Sequence, residues 1–254
     1  MVIVRLLIGL VLGAGLSFGT TYLLLAVLLG VASPIALIVS LVAAAGCGAY
    51  GAIALANNVY EVSFLSILGF FLDMTWSIPN TVFGLIYVPI CLIAGGGMEN
   101  SSDTQRSGTL CYTASPRGAG WRMTVGPVIG GGWSRHEEVH VWQGRIFGPI
   151  YYPVYFLCYF FIFLFRLILG KVSDIAVEAY RRICFEDWAY SSGGDSEISW
   201  GMWFLWLLIS SGFIALSVLA VYGFATHALV IALIALGLMV AYSIVRNLTP
   251  AYDL

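Results

Sequence analysis

The sequence predicts an all-α integral membrane protein with about five to six transmembrane helices, a broken or re-entrant helix, and a small extramembrane β-hairpin or loop. Three observations lead there. The 254 residues are 60% hydrophobic and only 9% charged. Mean hydropathy is +0.94, which is more apolar surface than a water-soluble domain of this size can bury, so lipid is the solvent for most of it. The apolar residues also fall into runs of spanning length separated by short polar stretches. A formal net charge of −2 with no basic block argues against a nucleic-acid partner. The five cysteines are scattered, odd in number and without a C-x-x-C, so no disulfide framework is expected.

One membrane domain is expected over residues 1–254: a transmembrane scaffold to 96, a polar segment 97–132, a site region 133–192 and a C-terminal helical hairpin 200–246. Residues 1–31 carry Arg5 and then a long apolar run with no clear cleavage site, which reads as a retained transmembrane helix. Gly9, Gly13, Gly15 and Gly19 form two small-xxx-small pairs that suit close helix packing. Pro34 opens a second span, to about Ala56, whose stretch Ala43–Ala49 also invites close contact.

Residues 62–96 behave differently. Two apolar pieces, Val62–Leu72 and Val82–Ile93, flank the polar break Asp73–Thr81, and each is short for a full crossing. Either this is a broken helix or re-entrant hairpin, with Asp73, Trp76 and Asn80 facing a site, or it is a loop between two short tilted helices. The polar segment that follows contains two β-prone runs, Thr109–Thr113 and Trp121–Val125, around Ser115–Gly120. They read as a hairpin or two short strands outside the bilayer, or as a surface loop.

After Gly130-Gly131-Gly132 a helix is expected from about Trp133 to Ile146, and it contains His136, Glu137 and His140 as H-E-x-x-H. Residues four apart share a helix face, so two imidazoles can grip one metal ion while the adjacent glutamate takes a proton from water. The chain has three histidines, and two of them fall in this pattern. Gln143 lies on the same face and suits a partner of a ligand or substrate. The other reading is a polar helix at a membrane surface whose histidines only cap or hydrogen-bond.

Ile150–Leu169 is the next expected span, followed by a charged cluster to Ser192. Glu178, Arg182 and Glu186 are spaced four apart, as on a salt-bridged helix face. One of the carboxylates can instead be the third metal ligand, with Glu186 first, Glu178 second and Asp187 third. If Ile150–Leu169 crosses the bilayer, the next helix must climb back to bring Glu186 to the histidines; otherwise the span bends at Pro153 and never fully crosses. Trp200–Tyr222 and Thr226–Val245 are the final spans, with His227 a polar end residue.

These residues resemble uncharacterised bacterial multi-pass membrane proteins that carry an HExxH helix, a later Gly-Pro-Tyr-like turn and a Glu-x-Trp-Ala. Here the motifs read His136–His140, Gly148–Tyr151 and Glu186-Asp187-Trp188-Ala189. The wider resemblance to zincins implies zinc on His136 and His140, Glu137 as the base, and an edge strand beside the metal helix. Gln143 and Ile146 stand where metzincins carry Gly and His, and the Asp-Gly of site-2-protease-like enzymes is absent, which leaves a gluzincin-like set with a glutamate third ligand.

The reading is therefore a membrane zinc hydrolase, a metallopeptidase of the bacterial inner membrane, acting on a peptide or membrane protein among membrane lipids. Arg135, Tyr151 and Tyr152 are candidates to stabilise an oxyanion. The competing reading is a non-catalytic scaffold or partner-binding protein with a structural HExxH helix. A transporter has less support, since no inverted repeat relates the halves.

Overall fold

In lipid the backbone must satisfy its own hydrogen bonds, so apolar runs of spanning length become helices. The computed structural model describes residues 1–118, 120–170, 174–192 and 225–248. The expected span Trp200–Tyr222, Lys171 and the side chain of His227 lie outside the described residues. The chain forms two compact units, Met1–Pro149 and Ile150–Leu254.

The first unit opens with α1 (Val2–Tyr22), which passes into a π-helical stretch Leu23–Leu28. Helix α2 (Ser33–Ala56) begins with Pro34 in its first turn, where a missing N–H costs nothing. The two helices pack backbone to backbone: a Cβ on Gly9 would lie 2.1 Å from the Gly51 oxygen, and one on Gly13 would lie 2.5 Å from that of Cys47. This is the expected small-residue seam, but only half of it. Gly15 and Gly19 have no neighbouring atoms within 4 Å of such a Cβ.

Helices α3 (Phe64–Met74) and α4 (Ile78–Ile93) are bent by 95° at the short break between them. This is the geometry of a broken span or a re-entrant loop, and equally of two short helices joined by a three-residue connection. Helix α4 has two faces. Asn80, Thr81, Gly84, Tyr87, Val88 and Cys91 are buried, whereas Phe83, Ile86, Ile90 and Ile93 are exposed and leave an apolar stripe for lipid.

The polar segment folds as β1 (Met98–Glu99), α5 (Ser102–Ser107), β2 (Leu110–Tyr112), β3 (Met123–Val125) and β4 (Val128–Gly130). Strand order is β1-β2-β4-β3, with β2 parallel to β4 and β3 antiparallel to it. The two β-prone runs do form strands, but not with each other. Of the expected hairpin or two short strands, the chain forms the two strands, and the tight hairpin is that of β3 with β4, with Val125 opposite Val128 across Gly126-Pro127. Gly126 has φ +56°, and a Cβ there would fall 1.9 Å from the Asn80 oxygen, so both the turn and its seat on α4 demand glycine. The strand pair lies directly on α4, where a Cβ on Gly84 would meet the Val125 oxygen at 2.9 Å. Tyr50, Met74, Tyr87, Leu110, Tyr112 and Val128 form the common core of helices and sheet.

Next comes α6 (Arg135–Phe147). The second unit contains α7 (Tyr151–Ile168), α8 (Ile175–Arg181), α9 (Cys184–Ser192) and α10 (Ala225–Leu248). Helix α7 runs uninterrupted through Pro153, which sits in its first turn, so the alternative of a bend at that residue is not taken. Ser243 of α10 ties α9 in place: its Oγ accepts from the Cys184 N–H at 3.0 Å and donates to the Met239 carbonyl at 2.9 Å.

Three stretches are long and apolar enough to cross a membrane: Val2–Leu28, Ser33–Ala56 and Arg135–Ile168. The bent α3–α4 pair makes a fourth if it counts as one span, and Leu233–Val245 is a shorter apolar helix. The described residues thus hold fewer spans than the five to six expected.

All five cysteines are free and buried. Cys111 donates its S–H to Glu99 Oε2 at 3.5 Å, and burial, then the Glu99 carboxylate, push its thiol up. A membrane-permeant maleimide is therefore expected to leave the folded protein unlabelled in detergent and to label all five after denaturation, as read by intact mass. Labelling of Cys111 in the folded state would show that the sheet opens.

Candidate metal centre

Helix α6 is held from its first turn. Ser134 caps it, its Oγ accepting the Glu137 N–H at 3.3 Å, and Glu137 and Glu138 place negative charge at the positive end of the helix dipole. Just ahead of the cap, the Trp133 N–H donates to Glu99 Oε2 at 3.1 Å, fixing the entry of the chain.

Within this frame the His136 and His140 side chains meet, Nε2 to Nε2, at 3.1 Å. A tetrahedral zinc ion with bonds of about 2.0–2.1 Å separates two nitrogen ligands by about 3.3–3.4 Å, so the pair fits one ion with a shift of a few tenths of an ångström. Gln143 Oε1 lies 2.8 Å from His140 Nδ1. With that amide oxygen as acceptor, Nδ1 carries the proton and Nε2 is the nitrogen with the lone pair, the tautomer a metal ligand needs. Gln143 is fully buried, and the expected place for it on the histidine face is where it sits.

Glu137, next to His136 in the chain, is buried, and the Thr124 hydroxyl donates to its Oε2 at 2.6 Å. The Thr124 hydroxyl also lies 3.2 Å from the Glu137 carbonyl. Thr124 belongs to β3, the end strand of the sheet, so an edge strand does adjoin the helix of the HExxH motif. Arg135 is turned to Glu138, with Nη1 to Oε2 at 2.7 Å, and its side chain is 45% exposed.

Comparison with known protein families, with curated proteins and with solved structures finds no match to this chain.

The polar break Asp73–Thr81 faces the far end of α6. Asp73 and Arg145 form a bidentate pair, Nε to Oδ1 at 3.0 Å and Nη2 to Oδ2 at 2.7 Å, and both are essentially buried. Arg145 also donates to the carbonyls of Ser107 at 2.6 Å and Gly108 at 2.7 Å, and lies over the Trp142 ring. Tyr60 donates to Asp73 Oδ2 at 2.7 Å. Burial, and next to it the Asp73 carboxylate, push the Tyr60 hydroxyl well above its ordinary range, so it stays a donor.

Carbonyls at a helix C-terminus have no partner within the helix. Here Trp76 Nε1 donates to the Ile146 oxygen at 3.0 Å and Ser77 Oγ to that of Gly144 at 3.0 Å. Asn80 Nδ2 donates to the oxygens of Gly144 at 2.9 Å and Gly148 at 2.8 Å. Trp76 lies so close to Gly148 that a Cβ there would fall 2.3 Å from its Nε1. Asp73, Trp76 and Asn80, expected to face the site, thus contact the helix that carries it.

In the second unit, Glu186 is buried on α9 and its Oε1 accepts the Tyr155 hydroxyl of α7 at 2.7 Å. Glu178 is engaged otherwise: Arg182 Nε donates to its Oε2 at 3.2 Å and Arg166 Nη2 lies 3.6 Å from the same oxygen. This is the salt-bridged face expected from the spacing, but α8 ends at Arg181 and α9 begins at Cys184, so Glu186 does not continue it. Asp187 accepts the Tyr242 hydroxyl of α10 at Oδ2. Tyr151 packs its ring on Tyr152, Tyr155 and Phe185.

Four contributors were not singled out from the sequence: Thr124, Ser77, Arg145 and Tyr155. Arg145 had a usable signal, because a charge in an apolar setting needs a partner and Asp73 lies in the polar break. The Gly126-Pro127 dipeptide marked the hairpin turn that brings Thr124 beside Glu137.

Proposed function

We propose that the protein is a multi-pass membrane zinc hydrolase of the peptidase class, in the bacterial inner membrane. The observation that carries the reading is the convergence of His136 and His140 Nε2 at 3.1 Å, on a helix that also carries the buried Glu137. His136, His140 and Glu186 would hold the ion, Zn2+, which would supply a water of lowered pKa, toward 7, and a Lewis acid for a carbonyl. Glu186 is chosen as third ligand because its carboxylate is buried and oriented by Tyr155, while Glu178 is committed to two arginines.

In this reading Glu137 takes a proton from the attacking water as the C–O bond forms, then passes it to the leaving amine as the C–N bond breaks. Thr124 holds the Glu137 carboxylate in place. Gln143 keeps His140 in its ligand tautomer. The end strand β3 offers backbone groups to which an extended peptide or membrane-protein segment can add as a strand.

The test is metal content of detergent-purified protein by elemental mass spectrometry, with His136→Ala, His140→Ala and Glu186→Ala alongside. About one zinc per chain is expected in the wild type and close to none in the three variants. Zinc retained in Glu186→Ala moves the third ligand to Asp187 or Glu178. No zinc in the wild type, even after reconstitution, leaves a non-catalytic scaffold with a structural HExxH helix.

A further inference from the structure

Resting on the zinc reading, we propose that the α3–α4 elbow is a positioning device for the metal helix, with Asp73, Trp76, Ser77 and Asn80 setting the rotation and axial place of α6. The contacts exceed what capping needs. Three side chains from the elbow reach three carbonyls between Gly144 and Gly148. Asn80 Nδ2 also lies 2.9 Å from Ser77 Oγ, and within the elbow Thr81 Oγ1 donates to the Asp73 carbonyl at 2.8 Å.

The Asp73–Arg145 pair adds the angular constraint. A one-residue slip of α6 turns its side chains by about 100°, which would carry Arg145 away from Asp73 and turn the shared His136–His140 face away from the direction it now takes. The anchored segment begins right after Gln143, the residue that orients His140, so rigidity at the elbow passes along one helical turn to the imidazole. Gly69 of α3 completes the fit: a Cβ there would lie 2.9 Å from Arg145 Cζ, so the guanidinium occupies the space a side chain would need.

The experiment is zinc affinity, measured by competition with a chromophoric chelator in detergent, on wild type, Asn80→Ala, Trp76→Phe and Gly51→Ala. Gly51→Ala is the control: its new methyl would meet the Gly9 oxygen at 2.5 Å and loosen the α1–α2 seam instead of the elbow. Trp76→Phe keeps an aromatic ring and removes one donor, so it covers the case in which Asn80→Ala does not fold. Affinity is expected to fall about tenfold or more in the elbow variants, as for partners that orient metal ligands, and to stay near wild type in Gly51→Ala. Wild-type affinity in folded elbow variants overturns the positioning role while leaving the zinc site intact. An equal loss in Gly51→Ala also overturns it, because general loosening would then suffice. A wild type that binds no zinc overturns the site itself and this role with it.

Discussion

Glu137→Gln is expected to leave zinc bound and to lower turnover by about 10²–10⁴-fold, the usual contribution of a positioned general base. Glutamine keeps the shape and still offers an oxygen to the Thr124 hydroxyl, so the contact at 2.6 Å can persist. What it loses is the ability to take a proton from water. The rate loss corresponds to about 3–5 kcal/mol of transition-state stabilisation. The readout is cleavage of a library of internally quenched peptides in detergent micelles, with zinc content measured on the same samples. Unchanged turnover in Glu137→Gln would remove this residue from the mechanism. Loss of zinc together with turnover would make its role structural.

Asp73→Ala is expected to be the most destabilising single change in the first unit, at about 3–5 kcal/mol, because it leaves the Arg145 charge buried without its carboxylate. Arg145 is held at five points, two of them on Asp73 and two on the Ser107 and Gly108 carbonyls, with the Trp142 ring beneath. Asp73→Ala combined with Arg145→Met is expected to recover part of the loss, since the stranded charge is gone. Recovery stays incomplete because the Ser107 and Gly108 carbonyls lose their donors. Thermal unfolding in a single detergent measures both. Stability of Asp73→Ala within about 1 kcal/mol of wild type would contradict an uncompensated buried charge of this kind.

The histidine pair of the candidate centre was legible because its logic is local. His136 and His140 are four residues apart on one helix, so helical geometry alone places them on one face, and Gln143 follows by the same count. The start of the helix was expected at about Trp133, one residue before the Ser134 cap that the structure shows. The polar break in an apolar stretch marked Asp73, Trp76 and Asn80 because lipid does not tolerate such residues without partners. What they would contact was not legible. The break suits either a face of the site or a plain loop, and its donors meet the carbonyls between Gly144 and Gly148 that follow the site, some seventy residues away in sequence.

Composition and periodicity by themselves determined that the chain is built of apolar helices, that two β-prone runs interrupt them, and which helix carries the histidines. These are properties of short segments and of their solvent. Only the tertiary structure decided strand partners and ion pairs. Thr109–Thr113 and Trp121–Val125 look like a hairpin in one dimension, yet each pairs with Val128–Gly130, because Gly126 turns the chain tightly and the Asn80 carbonyl leaves room there only for glycine. Likewise, nothing local to Arg145 names Asp73, nor anything local to Glu137 names Thr124. Each pairing joins segments whose meeting is set by how whole helices and strands pack, and a buried charge or hydroxyl takes whichever partner that packing brings within reach.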